Sequence, residues 1–503
     1  MKTLRNAVIG IFAGLILMIS CKKSDIALPK SEANIDSIAS KYYEGYLKMY
    51  PLEATMQGDS RYNDVLTNNI SSEFISKEIE FYTDTQKKLK SIEYDDLSDE
   101  QKTVYDVLDY TLKDKIERYA YHPELLPFSQ FEGLPLDFPL LGSAEGNQPF
   151  KTTQDYDNWL KRIDAFVIWM NTAEKNFREG MKQNVVLPKK LVVKMIPQMH
   201  SEEIITEDFD KNIFYGPIKK MPKNFSAKDK EKYKILYQEA ISSKIIPAYQ
   251  KMGDFLEKEY LPKARNTDGI NALPNGKNIY EYYAKSWTTT NKTPEKINKI
   301  GLQQVAMLRA EMEKVKTQLG FKGSLEQFLT SLKTDKKAMP YKTPEEVIAA
   351  FNGILKKIEP KLPSMFSKFP KTPFEIRRTE KFREASASAE YKQGTPDGKR
   401  PGIFYTPIPD ATKYNVTNGF ESLFLHEAIP GHHYQVSLQQ ENTEIPKFMR
   451  FGWFGAYGEG WAHYTETLGP EFGLYTDPYQ KMGYLSDQML RAVRLVVDTG
   501  IHT

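Results

Sequence analysis

The chain has 503 residues, 69 of them basic and 66 acidic, with a formal charge of +3 at pH 7 and a single cysteine. Setting aside Lys2 and Arg5, which lie in an N-terminal segment expected to be removed, 67 basic residues face 66 acidic ones; this balance gives no electrostatic reason to expect nucleic acid as a partner. One cysteine excludes a disulfide framework, so the fold must rest on its core.

At ~150 residues per domain the length would allow three domains. No Gly/Ser-rich or acidic linker, fixed-period repeat or proline-rich segment divides the sequence, so residues 35–503 read as one large domain.

Residues 1–20 have a short basic start and an apolar run from Ala7 to Ile19, then Ser20, followed by Cys21 and the polar KKSD. The run is too short to span ~30 Å of hydrocarbon and reads as a signal peptide. It resembles a bacterial lipoprotein signal, although Met18 stands where Leu is commonest. The resemblance implies that Cys21 is lipidated, that residues 21–34 form a tether, and that the protein sits outside the cytoplasm, anchored to a bacterial membrane and expected on the outer one. An ordinary secreted protein with an incidental Cys21 is the alternative.

Helical spacing predicts a helix over 35–49 that closes before Pro51, a second through Ile75, Ile79, Tyr82 and Leu89, and a third over 101–119. Residues 122–152 contain five prolines and several glycines and read as a long ordered loop, of the kind that borders a cleft. Helices are expected again over 156–183, 229–260 and 293–318. Thr293 and Pro294 mark the start of the last of these, and Thr343 and Pro344 mark another, with Glu346 placed to complete a capping box. The fold class is therefore mainly α, and the aromatic stripe along these helices reads as core.

The pattern then changes. Residues 374–380 alternate apolar and polar, and 402–408 form a second strand-like run between Pro401 and Pro409, which predicts a small β-sheet just before the densest histidine cluster. An exposed strand there could pair with an extended peptide.

That cluster is HEAIPGHH, from His426 to His433. Phe420, Leu423 and Phe424 share a helical face that continues to His426 and Glu427, so the His-Glu pair points inward, where an unpaired charge would be costly and a metal ion would offset the cost. In the helical zinc motif HExxH, two histidines four residues apart bind the ion and the glutamate activates water. Here Pro430 occupies the second histidine's place. On a regular helix His433 would lie about 10 Å along the axis from His426, and His432 would point away. Pro430 forces the helix to deform, and a bulge across Ile429–Gly431 would return His432 to His426.

HEAIPGHHYQ, followed by YGEGWAHYTE, resembles the bacterial family called domain of unknown function 885, which is regarded as gluzincin-type zinc peptidases, many of them lipoproteins. YPLEAT at Tyr50, TPEKINKIGL after Thr293 and RPGIFYTP after Arg400 extend the resemblance through most of the chain. It implies a large helical gluzincin-like peptidase domain with a small sheet beside the metal site. It further implies one Zn²⁺ held by His426, His432 and Glu459, with Glu427 as general base and a peptide as substrate.

Glu459, His463 and Glu466 are spaced i, i+4 and i+7, so one face carries all three. Glu466 would hold the free nitrogen of a ligating histidine. His433 is expected to support the ligands or pack nearby, not to ligate. His463 reads as either a structural hydrogen-bonding residue or a substrate contact, and Tyr405, in the RPGIFYTP stretch, joins this supporting group. Trp461 and Tyr464 read as core.

Met482, Leu485, Met489, Val493 and Val496 predict a last helix ending at Gly500. The family continues beyond this point, so the chain is expected to be truncated at its C-terminus, and His502 is expected to face the ion and stabilise an oxyanion. Together these features predict a zinc-dependent metallopeptidase. The alternatives are a non-catalytic glycan- or peptide-binding surface lipoprotein with a structural or degenerate metal site, and a zinc hydrolase of non-peptide amides or esters. Peptide specificity and oligomeric state are not legible in the residues.

Overall fold

Hydrogen-bonding side chains placed one residue before several of the runs of apolar periodicity set those helix starts. The computed structural model describes residues 34–379, 384 and 387–503. The signal peptide, Cys21 and nearly all of the expected tether lie outside these residues.

The Asn34 side chain accepts the Asp36 N–H and opens the helix Ile35–Met49. Ser71 caps Ser72–Leu89, and Ser98 with Gln101 closes a reciprocal capping box on Asp99–Arg118. Thr293 caps Pro294–Gln318 as expected. At Pro344–Ile358 only half of the expected box forms. Thr343 Oγ1 accepts the Glu346 N–H, but the Glu346 carboxylate takes the N–H of Lys342, one residue too early.

The stretch 122–152, expected to be a loop, contains a nine-residue helix, Leu134–Gly142. Pro135 suits its first turn, whereas Pro139 inside it cannot donate to the carbonyl of Pro135. That carbonyl instead accepts from the buried Tyr249 hydroxyl at 2.8 Å. Phe138 then stacks on Phe166 with centroids 4.0 Å apart, at the centre of the largest core cluster, with Trp159, Phe214 and Tyr249 around it. Tertiary satisfaction of one carbonyl thus overrides the local signal. The helix expected over 229–260 is continuous but widens into π turns at Ile241–Ile245 and Leu256–Tyr260, the first just ahead of Pro247, whose missing donor such a turn accommodates.

The sheet has three strands, β1 (Phe374–Arg378), β2 (Glu390–Lys392) and β3 (Gly402–Thr406), in the order β1-β3-β2. β1 runs parallel to β3, with Ile376 opposite Phe404, and β2 runs antiparallel to it, with Tyr391 opposite Phe404. Phe404 packs edge-on against Phe351, which also stacks on Phe420, so sheet and metal-motif helix share one core.

Tyr249→Phe should leave the Pro135 carbonyl buried without a donor and destabilise the fold by about 1–3 kcal/mol, as read from urea unfolding. A change near zero would show that the hydroxyl is not what permits Pro139 inside the helix.

Candidate metal centre

The helix Phe420–Glu427 starts after Gly419, whose φ of 88° suits glycine, and buries Phe420, Phe424 and Leu425. His426 and Glu427 end it. Ala428 leaves helical geometry (φ −104°, ψ −111°), the Ile429–Pro430 peptide is cis, and a new helix runs from His432 to Glu441. The expected bulge is therefore a complete break. At Gly431 a Cβ would lie 1.9 Å from the His426 carbonyl oxygen, a clash no side chain could relieve. The reversal brings the rings of His426 and His432 to 4.7 Å, nearly perpendicular.

Two carbonyls near the break lack ordinary helix partners, and the second motif supplies both donors. Thr465 Oγ1 donates to Leu425 O at 2.8 Å, and Trp461 Nε1 donates to Pro430 O at 2.8 Å. Trp461 is thus a clamp on the turn as well as a packing residue. Tyr464, expected in the core, is instead 52% exposed, because the helix Gly455–Glu466 turns that face outward.

Glu459 Oε2 lies 3.4 Å from His426 Nε2 and 3.7 Å from His432 Nε2. Donors on a tetrahedral ion with ~2.1 Å bonds stand about 3.4 Å apart, so these separations match a shared ion. The three donor atoms lie within 4.8 Å of one another, and His432 Nδ1 is buried without a partner. A histidine pair and a carboxylate are also the donor types that zinc accepts. One other set of potential ligands comes together among the described residues, His200, Asp254 and Glu257. Its carboxylates are exposed, and Asp254 is paired with Lys258 at 3.0 Å.

Behind His426, Glu466 is fully buried. Its Oε1 is 2.7 Å from His426 Nδ1, Arg491 reaches its two oxygens at 2.6 and 3.2 Å, and Gln488 donates to Oε2 at 2.8 Å. His463 does not join the ligands. Its Nε2 meets the Gln488 carbonyl oxygen at 2.6 Å, which leaves the Gln488 amide free to donate to Glu466. Sequence reasoning missed Arg491, Gln488 and Asp487. The only signal for them was a polar face at positions 484–491 opposite the apolar stripe of the last helix.

Burial works to lower the pKa of His426, but Glu459 and Glu466 outweigh it and hold the pKa up at about 9. Hydrogen bonds from His426 and then His432 keep the Glu459 carboxyl well below the usual range. Glu427 is buried, which pushes its carboxyl up against the pull of both histidines, and it accepts a backbone N–H from Tyr391 on β2.

His433 turns to the sheet. Its Nδ1 lies 3.1 Å from the Tyr391 hydroxyl, its ring packs on Phe374, and burial lowers its pKa to about 4. β3 passes so close that a Cβ at Gly402 would stand 2.5 Å from His433 Nδ1.

Two expectations are corrected. Strand alternation puts Tyr405 on the face of β3 opposite Gly402 and Phe404, opposite Arg377 in the register and within hydrogen-bond reach of its guanidinium, turned away from the histidines. His502 accepts the Ile270 N–H at 3.0 Å and packs on Tyr280, about 16 Å along the helix from Arg491, so it does not face the cluster.

Asp487 accepts from Ser422 at 2.6 Å beneath Gly419. Burial pushes its carboxyl up to about 6, against the Ser422 hydrogen bond and with the Glu466 charge adding to the rise. An unfolded Asp titrates near ~3.9, so between about pH 4 and 6 the folded state binds more protons and stability falls as pH rises. Asp487→Asn should therefore be more stable than the native chain by about 1–2 kcal/mol at pH 8, with the gain vanishing near pH 4. Equal urea midpoints at both pH values would refute this.

Among curated proteins none matches the chain. The structure is similar to that of a candidate lipoprotein from Colwellia psychrerythraea, with TM-score 0.83 at 23% identity, covering 93% of this chain and 83% of that one. It also resembles a candidate lipoprotein of unknown function from Shewanella oneidensis, with TM-score 0.66 at 16% identity and the same coverages. Both likenesses concern the fold, and no helix among the described residues is long and apolar enough to cross a membrane. A family model described as "Bacterial protein of unknown function (DUF885)" matches residues 51–503, and the chain belongs to that family.

Proposed function

We propose that this protein is a zinc-dependent hydrolase, most specifically a metallopeptidase, held outside the cytoplasm by a lipid on Cys21 and directed to the outer membrane. The observation that carries this reading is the convergence of His426, His432 and Glu459 at tetrahedral spacing with Glu427 next to them. A bound Zn²⁺ would supply Lewis acidity, polarising a carbonyl and lowering the pKa of water toward ~7.

The chain's own residues do the rest. Glu466, held by Arg491 and Gln488, takes the proton of His426 Nδ1 as a hydrogen bond and so orients the ring with Nε2 toward Glu459. Glu427 is the general base, and the Tyr391 N–H fixes its carboxylate so that it can receive the water's proton and pass it to the leaving amine.

Purified protein should hold one zinc per chain, and Glu427→Gln should keep that zinc while losing about 10²–10⁴-fold in peptide hydrolysis. Well-folded protein with zinc far below stoichiometry, or undiminished hydrolysis by the variant, would remove the proposal. Glu466→Gln should weaken zinc binding about 10–100-fold, measured by competition with a chromogenic chelator; unchanged affinity would show that the carboxylate does not orient His426.

A further inference from the structure

Two of the five tryptophans are exposed, and both lie against the helix that carries Glu459. Among the described residues Trp453 is 51% exposed and Trp287 66%. Singly exposed apolar side chains are ordinary on a protein surface, but two large rings side by side at a site are not.

Trp453 stands in the loop 451–454, whose other two rings are packed. Phe451 stacks on Tyr43 with centroids 6.1 Å apart, and Phe454 lies 5.9 Å from Tyr110. Gln439 fixes the same loop by donating to the carbonyls of Met449 and Gly452 at 2.6 and 2.9 Å. The loop is thus anchored on both sides of the one ring that it leaves outside.

Each indole has a seat made by a glycine. A Cβ at Gly458 would run into the benzene edge of Trp453, and one at Gly455 would stand 2.9 Å from the Trp287 ring. Gly458 lies inside the helix Gly455–Glu466, where glycine is less favourable than alanine, so the helix gives up stability there to let Trp453 lie against its backbone.

Gly455, Gly458 and Glu459 are spaced i, i+3 and i+4, so both seats and the Glu459 carboxylate share one face. Trp453 is the ring next to the cluster, with its centroid 5.7 Å from that of His432. Trp287 is seated about 4.5 Å farther along the axis, toward the helix start. The two indoles therefore form an apolar strip that begins against a histidine of the cluster and leads away from it along one helix.

Where the strip begins decides what covers it. In the peptidase reading, on which this inference rests, the reacting carbonyl sits at His426, His432 and Glu459, and a side chain beside that carbonyl falls within reach of Trp453. Sugar rings also stack on indoles, but their hydroxyls need polar partners next to the rings. Here the seats are glycines, and Glu459 is turned to the two histidines.

We infer that Trp453, extended by Trp287, is the specificity-determining surface of this site and takes an aromatic or large apolar side chain of the peptide next to the bond cut.

Paired peptides carrying Phe or Ala at each of the two positions flanking that bond test it. At one of these positions the zinc-loaded full chain should cut the Phe member at least about tenfold better in kcat/KM, mainly through KM. In Trp453→Ala that ratio should fall toward one, with Trp453→Phe keeping part of it and Trp287→Ala reducing it less. Trp453→Gln gives the same reading if Trp453→Ala does not fold. A ratio of one at both positions in the native chain, or an unchanged ratio once the Trp453 indole is removed, overturns the inference.

If the native chain cuts none of the peptides, the peptidase reading fails, and fluorescence anisotropy with the same labelled peptides decides the subsite. Roughly tenfold tighter binding of the Phe form, lost in Trp453→Ala, supports it. Equal binding of both forms, or binding of a chito-oligosaccharide in their place, overturns it.

Discussion

The rest of this structure depends on a carboxylate with no access to water. Glu466 sits wholly inside the protein, and so polar a group is tolerable there only because Arg491, Gln488 and the His426 imidazole surround it. Those partners come from two separated segments and Glu466 from a third, so the last helix, the first motif and the second motif are tied together at one point. The ring orientation of His426 follows from that tie, and the position of Glu459, two turns earlier on the same face of the Glu466 helix, follows with it. The packing of Phe420 and Phe424 against Phe351 holds the remaining side of the motif.

Much of the fold was legible because helix-start chemistry is local. Thr293 and Thr343 each satisfy an N–H within three residues of themselves, and nothing distant need be known to place them. The Leu134–Gly142 helix was illegible for the opposite reason: the donor that satisfies the Pro135 carbonyl is Tyr249, over a hundred residues away. β2 escaped notice because three residues carry too little periodicity to register. Its Tyr391 nonetheless touches both His433 and Glu427.

The site shows the same division. Pro430 and the helical rise alone singled out His432 over His433 as the neighbour of His426, and the broken helix places the rings accordingly. The spacing of Glu459 and Glu466 likewise announced two carboxylates on one face. What lay beyond local spacing was the identity of the partners on the last helix, since polar residues opposite an apolar stripe read as solvated until another element is seen to cover them. His502 and Tyr405 failed in the reverse sense. Each had suitable chemistry, but the helix length and the strand register turned them elsewhere.

Trp461 and Thr465 reach across to the carbonyls of Pro430 and Leu425. If the second stretch opens, the first, some thirty residues earlier in sequence, therefore loses the donors of two backbone carbonyls at once. Local fluctuation here is then a single cooperative event and not two independent ones. The amide hydrogens of the Phe420–Glu427 and Gly455–Glu466 helices would exchange with solvent at a common free energy. A lesion in one stretch would be felt as loosening in the other, even where the altered residue touches none of the histidines.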